Sequence, residues 1–347
     1  MILPWHQTLW TRLAAAGERG HHALLLAGPP GGGKRQFAEA VAAARLCDRP
    51  GAEGFPCGEC EACTWLAAGT HPDFFRLVPE ADEAADEASE TDKESAKSRQ
   101  IRVEQIRQLQ DSLTRKGHRD DRRVALVDPA EAMNAVTANG LLKLLEEPPV
   151  GVLFLLITRA PDRLLPTIRS RAQRWDFPAP DAAQASAWLA AQGVKDSATW
   201  LGFAGGMPVA AKEISSGPLA ACRVRFVKDI TTLPQRDPVE LAGTWDTWLR
   251  SKDAQAAAFD MSRLADWLLR WYADLAAAAS GAPIRYFADA ESALRGLTRG
   301  WSAEEALGCY NDGLNLRRVA AHPLNARLLL EDILLRYCRR LATGRTA

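Results

Sequence analysis

The stretch LLLAGPPGGGKRQF, Leu24–Phe37, constrains the fold more than any other part of the chain. An apolar run ends in a glycine-rich turn, and the alanine-rich segment GKRQFAEAVAAARL follows at once. Glycines permit a tight turn whose backbone N–H groups converge on one anion, and a helix opening there adds a favourable dipole. GPPGGGK therefore reads as a phosphate-binding loop, with Gly28, Gly31, Gly33 and Lys34 as its binding residues. It lies between a buried strand, HALLLAG (His22–Gly28), and a helix, as in a parallel sheet covered by helices on both faces.

Two chemical parts are missing from that loop. Arg35 stands where a Ser or Thr hydroxyl normally holds Mg²⁺. A guanidinium has no lone pair to offer and brings a permanent charge. A second apolar run, RRVALVD, ends in Asp128, the position of a metal-binding aspartate, but Pro129 follows and cannot activate water. Glu131 has the chemistry to substitute, yet three residues beyond Asp128 it is expected to point elsewhere. The expectation is a phosphate loop that has lost hydrolysis, with ATP binding left open.

Seven cysteines could mean disulfides, but Cys47, Cys57, Cys60 and Cys63 fall within seventeen residues in a C-x9-C-x2-C-x2-C pattern. That clustering favours metal in a reducing compartment. C-x-x-C steps bring two sulfurs to one ion, and four thiolates suit a closed tetrahedral structural Zn²⁺ with no position for substrate. An iron–sulfur cluster and redox or packing cysteines are the alternatives. His71, in GTHPDFF, is the nearest competing ligand and is expected to pack or hydrogen-bond instead. Cys222, Cys309 and Cys338 read as small apolar residues of helices.

Along the rest of the chain, Pro79–Gln100 is charged and almost free of large apolar groups, as in a solvated, mobile loop. VLFLLIT, ending in Thr158, is a further core strand, and NAVTANGLLKLLEE is a helix stopped by Pro148 and Pro149. The expected division is an α/β domain over 1–178, a small helical unit over 179–216 and a helical remainder over 217–347. In that remainder Met261, Leu264, Leu268, Trp271 and Leu275 share one helical face, as for a bundle core. The 43 basic and 43 acidic residues cancel, so no global field recruits nucleic acid or acidic lipid. MILPWHQTLW carries no export signal and no apolar run is long enough to span a bilayer, so a soluble, cytoplasmic protein is expected.

The ordered set GPPGGGK, the cysteine cluster, AGTHPDF, VALVD, ANGLLKLLEEPP and LLPTIRSRAQ resembles the clamp-loader subunits of bacterial DNA polymerase III, which are AAA+ proteins. The resemblance covers nearly the whole first domain. HPLNARLLLEDILLRYC also resembles the final collar helix of the delta-prime branch. It implies an α/β AAA+ domain with a zinc-binding insertion, a helical lid over 179–216 and an all-α collar for oligomerisation over 217–347.

Delta-prime subunits resemble their gamma/tau ATPase siblings but usually lack catalysis, in agreement with Arg35 and Pro129. By the same resemblance Pro208, in GGMPVAA, takes the place of the arginine that senses the terminal phosphate. TIRSRAQ resembles the family's Ser-Arg-Cys motif, with Ser170, Arg171 and then Ala172 in place of cysteine. The resemblance implies that Arg171 reaches ATP on an adjacent subunit as an arginine finger in trans. It further implies a hetero-pentamer with gamma/tau and delta subunits, acting on the β sliding clamp and primer–template DNA at the replication fork. The assembly supports a DNA polymerase, although this chain would make no phosphodiester bond. A gamma/tau-like ATPase and a zinc-containing DNA-binding module are the alternatives.

Overall fold

The structure is a computed structural model that describes residues 2–16, 21–51, 53–80, 98, 100–114, 121–322 and 324–343. Most of the charged stretch 79–100 lies outside the described residues. The chain divides into two compact units, Met1–Gln184 and Ala185–Ala347.

The first unit is built on five strands: β1 (Ala23–Ala27), β2 (Phe74–Leu77), β3 (Arg123–Val127), β4 (Val152–Thr158) and β5 (Gln173–Asp176). They form one sheet in the order β2-β3-β4-β1-β5, and every pairing is parallel. β1 and β3 are buried at every position, as apolar runs require when both faces are covered; Arg123 at the start of β3 is buried by donating to Leu113 O and Val150 O. Alternate side chains serve two cores. Ala23, Leu25, Ala125, Val127, Phe154 and Leu156 pack with the helices Val103–Thr114 and Ala135–Glu146. Leu24, Leu26, Val124, Leu126, Leu155 and Ile157 pack with Gln7–Ala16 and Lys34–Leu46.

Asn134 caps the helix Ala135–Glu146 by accepting from the Thr137 amide, and the helix ends at Glu146, just before Pro148 as the sequence predicts. The segments following β1, β3 and β4 leave the sheet from its carboxyl edge, where open parallel sheets place their ligands.

The second unit is helical among its described residues. A small core joins Ala185, Leu189, Leu201, Ala204 and Ala211. A larger one is dominated by aromatic rings, with Phe226 against Trp245, Trp267 and Phe287. On the helix Met261–Ala279, Leu264, Leu268, Trp271 and Leu275 are buried, and Met261 packs at the margin of the same core. The helix Ala326–Thr343 contributes Leu330, Ile333, Leu334, Tyr337 and Leu341. Cys222 and Cys309 are buried among these helices and Cys338 packs at their edge, as expected of small apolar residues.

Candidate nucleotide pocket and metal centre

The loop after β1 has the backbone its glycines predict. Gly31 and Gly33 adopt positive φ of 80° and 97°, and Gly33 is the N-cap of the helix Lys34–Leu46. Gly28 lies against Phe177, just past the end of β5, where a Cβ would collide with the Phe177 carbonyl. The Trp5 indole N–H donates to Gly32 O at 2.8 Å and fixes the far side of the turn. Lys34 folds back under the loop, its Nζ donating to Gly28 O at 2.7 Å and to Pro29 O at 2.6 Å. Burial lowers its pKa to about 8, against the opposing pull of the Asp128 and Glu131 charges.

Arg35 and Asp128, both singled out in the sequence, are brought together. Arg35 Nε lies 2.6 Å from Asp128 Oδ2. The cation at the position where a metal-binding hydroxyl is expected thus pairs with the carboxylate expected to share that metal. Sequence reasoning treated the two as separate losses and missed the pair. The available signal was that a cation and an anion stood at two positions that a divalent ion normally links.

Glu131 is turned toward the segment leaving β4: its side chain is only 5% exposed, and its Oε1 accepts from the Arg159 amide at 3.2 Å and lies 3.4 Å from Arg159 Nε. The short 3₁₀ turn Ala130–Ala132 after Pro129 folds the chain back, so that residue 131 meets the segment leaving β4. Spacing along an extended chain concealed this. His6 was also overlooked. Its ring sits edge-on to Phe37 and Phe177, and burial, then the charge of Lys34, lowers its pKa to about 4.

Arg171 is the last residue of the helix Pro166–Arg171. Its Nη2 lies 2.8 Å from Glu146 Oε1, and Nη1 donates to Thr167 O at 3.1 Å. Pro208 opens the helix Pro208–Ser216 of the second unit, at a position where its missing N–H costs nothing.

The four cysteines of the predicted centre converge: the Sγ atoms of Cys47, Cys57, Cys60 and Cys63 all lie within 4.8 Å of one another. Cys47 is 3.5 Å from Cys57 and 3.8 Å from Cys60, and Cys57 is 4.0 Å from Cys63. A tetrahedron with Zn–S bonds of about 2.3 Å has S···S edges of about 3.8 Å, so the set fits that ion. Backbone amides already point at the sulfurs, from Cys57 to Cys47 at 3.3 Å, Cys60 to Cys57 at 3.3 Å and Cys63 to Cys60 at 3.4 Å. Such amides favour thiolate; those of Glu59 and Cys60 lower Cys57 to about 6, while burial raises Cys63.

The module is pinned to its unit by Phe55 stacked on Trp10 at 4.8 Å and by Arg122 Nη1 donating to Cys47 O at 3.2 Å. His71 lies outside the cluster, as expected: its Nδ1 accepts from the Asp73 amide, and its ring packs edge-on to Trp65.

Known proteins share this arrangement of sequence. A family model described as DNA polymerase III, delta subunit, matches residues 6–181. Over 252 residues the chain is 40% identical to DNA polymerase III subunit delta' of Pseudomonas aeruginosa, covering 71% of this chain and 72% of that protein. It is 27% identical over 307 residues to subunit delta' of Haemophilus influenzae, covering 84% and 86%. Subunit gamma/tau of Mycobacterium bovis is 34% identical over 172 residues, which span 50% of this chain but 27% of that protein. With a family match across the whole sheet domain and a delta' relative aligned over most of both chains, the chain belongs to the delta-prime subunit family of DNA polymerase III.

Proposed function

We propose that this chain is a non-hydrolysing clamp-loader subunit, which assists ATP-dependent loading of the β sliding clamp onto primed DNA and lends Arg171 to a neighbouring ATPase. The observation that carries the reading is the ion pair between Arg35 and Asp128. A guanidinium tied to that carboxylate competes with Mg²⁺ for it, and Pro129 offers no base beside it. The lysine that would hold outer phosphates is occupied by its own loop. Together these features support a pocket that keeps the phosphate-loop fold without turnover.

In this reading 1–178 is the AAA+ domain, with a structural Zn²⁺ on Cys47, Cys57, Cys60 and Cys63. Residues 179–216 form a lid, and 217–347 a collar that joins gamma/tau and delta subunits in a hetero-pentamer. The protein works in the cytoplasm at the replication fork; no helix among the described residues is long and apolar enough to cross a membrane.

The test is reconstitution with gamma/tau and delta subunits, clamp and primed DNA. Omitting the chain should abolish loading. Arg171→Ala should preserve assembly yet lower ATP turnover at the adjoining site by at least about tenfold, since an arginine finger stabilises charge on the transferred phosphoryl group. Unchanged hydrolysis and loading with Arg171→Ala would reject the finger.

A further inference from the structure

Arg171 is held at the meeting point of two helix ends. Glu146 is the final residue of Ala135–Glu146, and Arg171 that of Pro166–Arg171. A carboxylate at a helix C-terminus faces the negative end of the dipole and is poorly placed unless a cation answers it. Arg171 answers it, with Nη2 at 2.8 Å from Glu146 Oε1. The same guanidinium also reaches back along its own helix, Nη1 donating to Thr167 O at 3.1 Å and approaching Ser170 Oγ at 3.4 Å. Nε takes part in none of these contacts, and the side chain is 35% exposed. The guanidinium is therefore anchored through both Nη atoms while the side chain stays partly exposed.

We infer that Glu146 is a positioning residue for Arg171: it holds the partly exposed guanidinium in one arrangement, ready to meet the phosphate oxygens of ATP bound to an adjoining subunit. The inference rests on the finger reading of Arg171 given above. A long arginine loses much rotamer freedom when fixed, and a partner that fixes it beforehand removes that loss from the reaction step. The pair is partly exposed, at 35% and 47%, so its grip is that of a surface ion pair. Loss of the Glu146 charge should accordingly slow turnover about two- to fivefold, far less than loss of Arg171 itself.

The experiment compares four reconstituted loaders carrying the wild-type chain, Glu146→Gln, Arg171→Ala and both changes together, each with clamp and primed DNA. ATP turnover is followed across ATP concentration. Glu146→Gln should lower kcat about two- to fivefold with KM for ATP unchanged, and should add nothing once Arg171 is gone. If Arg171→Ala slows turnover while Glu146→Gln leaves it unchanged or speeds it, the positioning role falls and the finger stands. An equal loss from Glu146→Gln with and without Arg171 would also overturn the inference, since Glu146 would then act through the fold. No effect of Arg171→Ala would remove the finger and, with it, this role.

Discussion

Single residues decide whether the phosphate loop can react. Lys34, Arg35, Asp128 and Pro129 were legible as chemistry in the sequence, because each stands at a fixed offset from the glycine loop or a strand end. Their partners were not legible. Arg35 reaches Asp128 across 93 positions of chain, and Glu131 returns through a 3₁₀ turn that spacing does not announce.

His6 belongs to the same neighbourhood and gives a prediction. Its folded pKa, about 4, lies below the unfolded value of about 6.5, so the unfolded chain takes up the proton first as pH falls. Stability attributable to His6 is therefore present above pH about 6.5, declines down to about 4 and then levels off, a loss of up to about 3 kcal/mol. His6→Leu keeps an apolar group against Phe37 and Phe177 and should flatten the pH dependence of urea unfolding between pH 4 and 6.5. Parallel profiles for the two proteins would show that His6 carries none of it.

At the scale of elements, the cysteine module was the most readable part of the chain. C-x-x-C steps bring sulfurs together almost regardless of context, and four sulfurs all within 4.8 Å, with separations of 3.5, 3.8 and 4.0 Å among them, fit a four-thiolate ion. The purified protein should contain about one Zn per chain by elemental analysis. Cys60→Ala should lose the metal and render 47–67 sensitive to limited proteolysis, because it removes both a sulfur of the cluster and the side-chain cap of the helix Glu61–Ala67. A metal-free chain with that segment fully protected would count against the centre. What joins the module to the sheet unit, Phe55 on Trp10 and Arg122 on Cys47 O, had no signature in the sequence, since these contacts link elements distant along the chain.

For the molecule as a whole, equal numbers of acidic and basic residues provide no net field for DNA, and in the proposed reading Arg35 on Asp128 competes with the metal that hydrolysis would need. The isolated chain should therefore show no steady ATP turnover and only weak DNA binding at physiological salt, measured by phosphate release and fluorescence anisotropy. Steady turnover abolished by changing Lys34 would revive the ATPase reading, and tight, steeply salt-dependent DNA binding would revive the DNA-binding module. The sequence by itself determined the parallel α/β core, the helical second unit and the cysteine centre, because apolar periodicity and ligand spacing are local properties of the chain. Only the tertiary structure decided which charges meet: Arg35 with Asp128, Glu131 with Arg159, and Arg171 with Glu146. Each of those pairs depends on where strand and helix ends converge, a position set by packing of the whole sheet and not by any short stretch of residues.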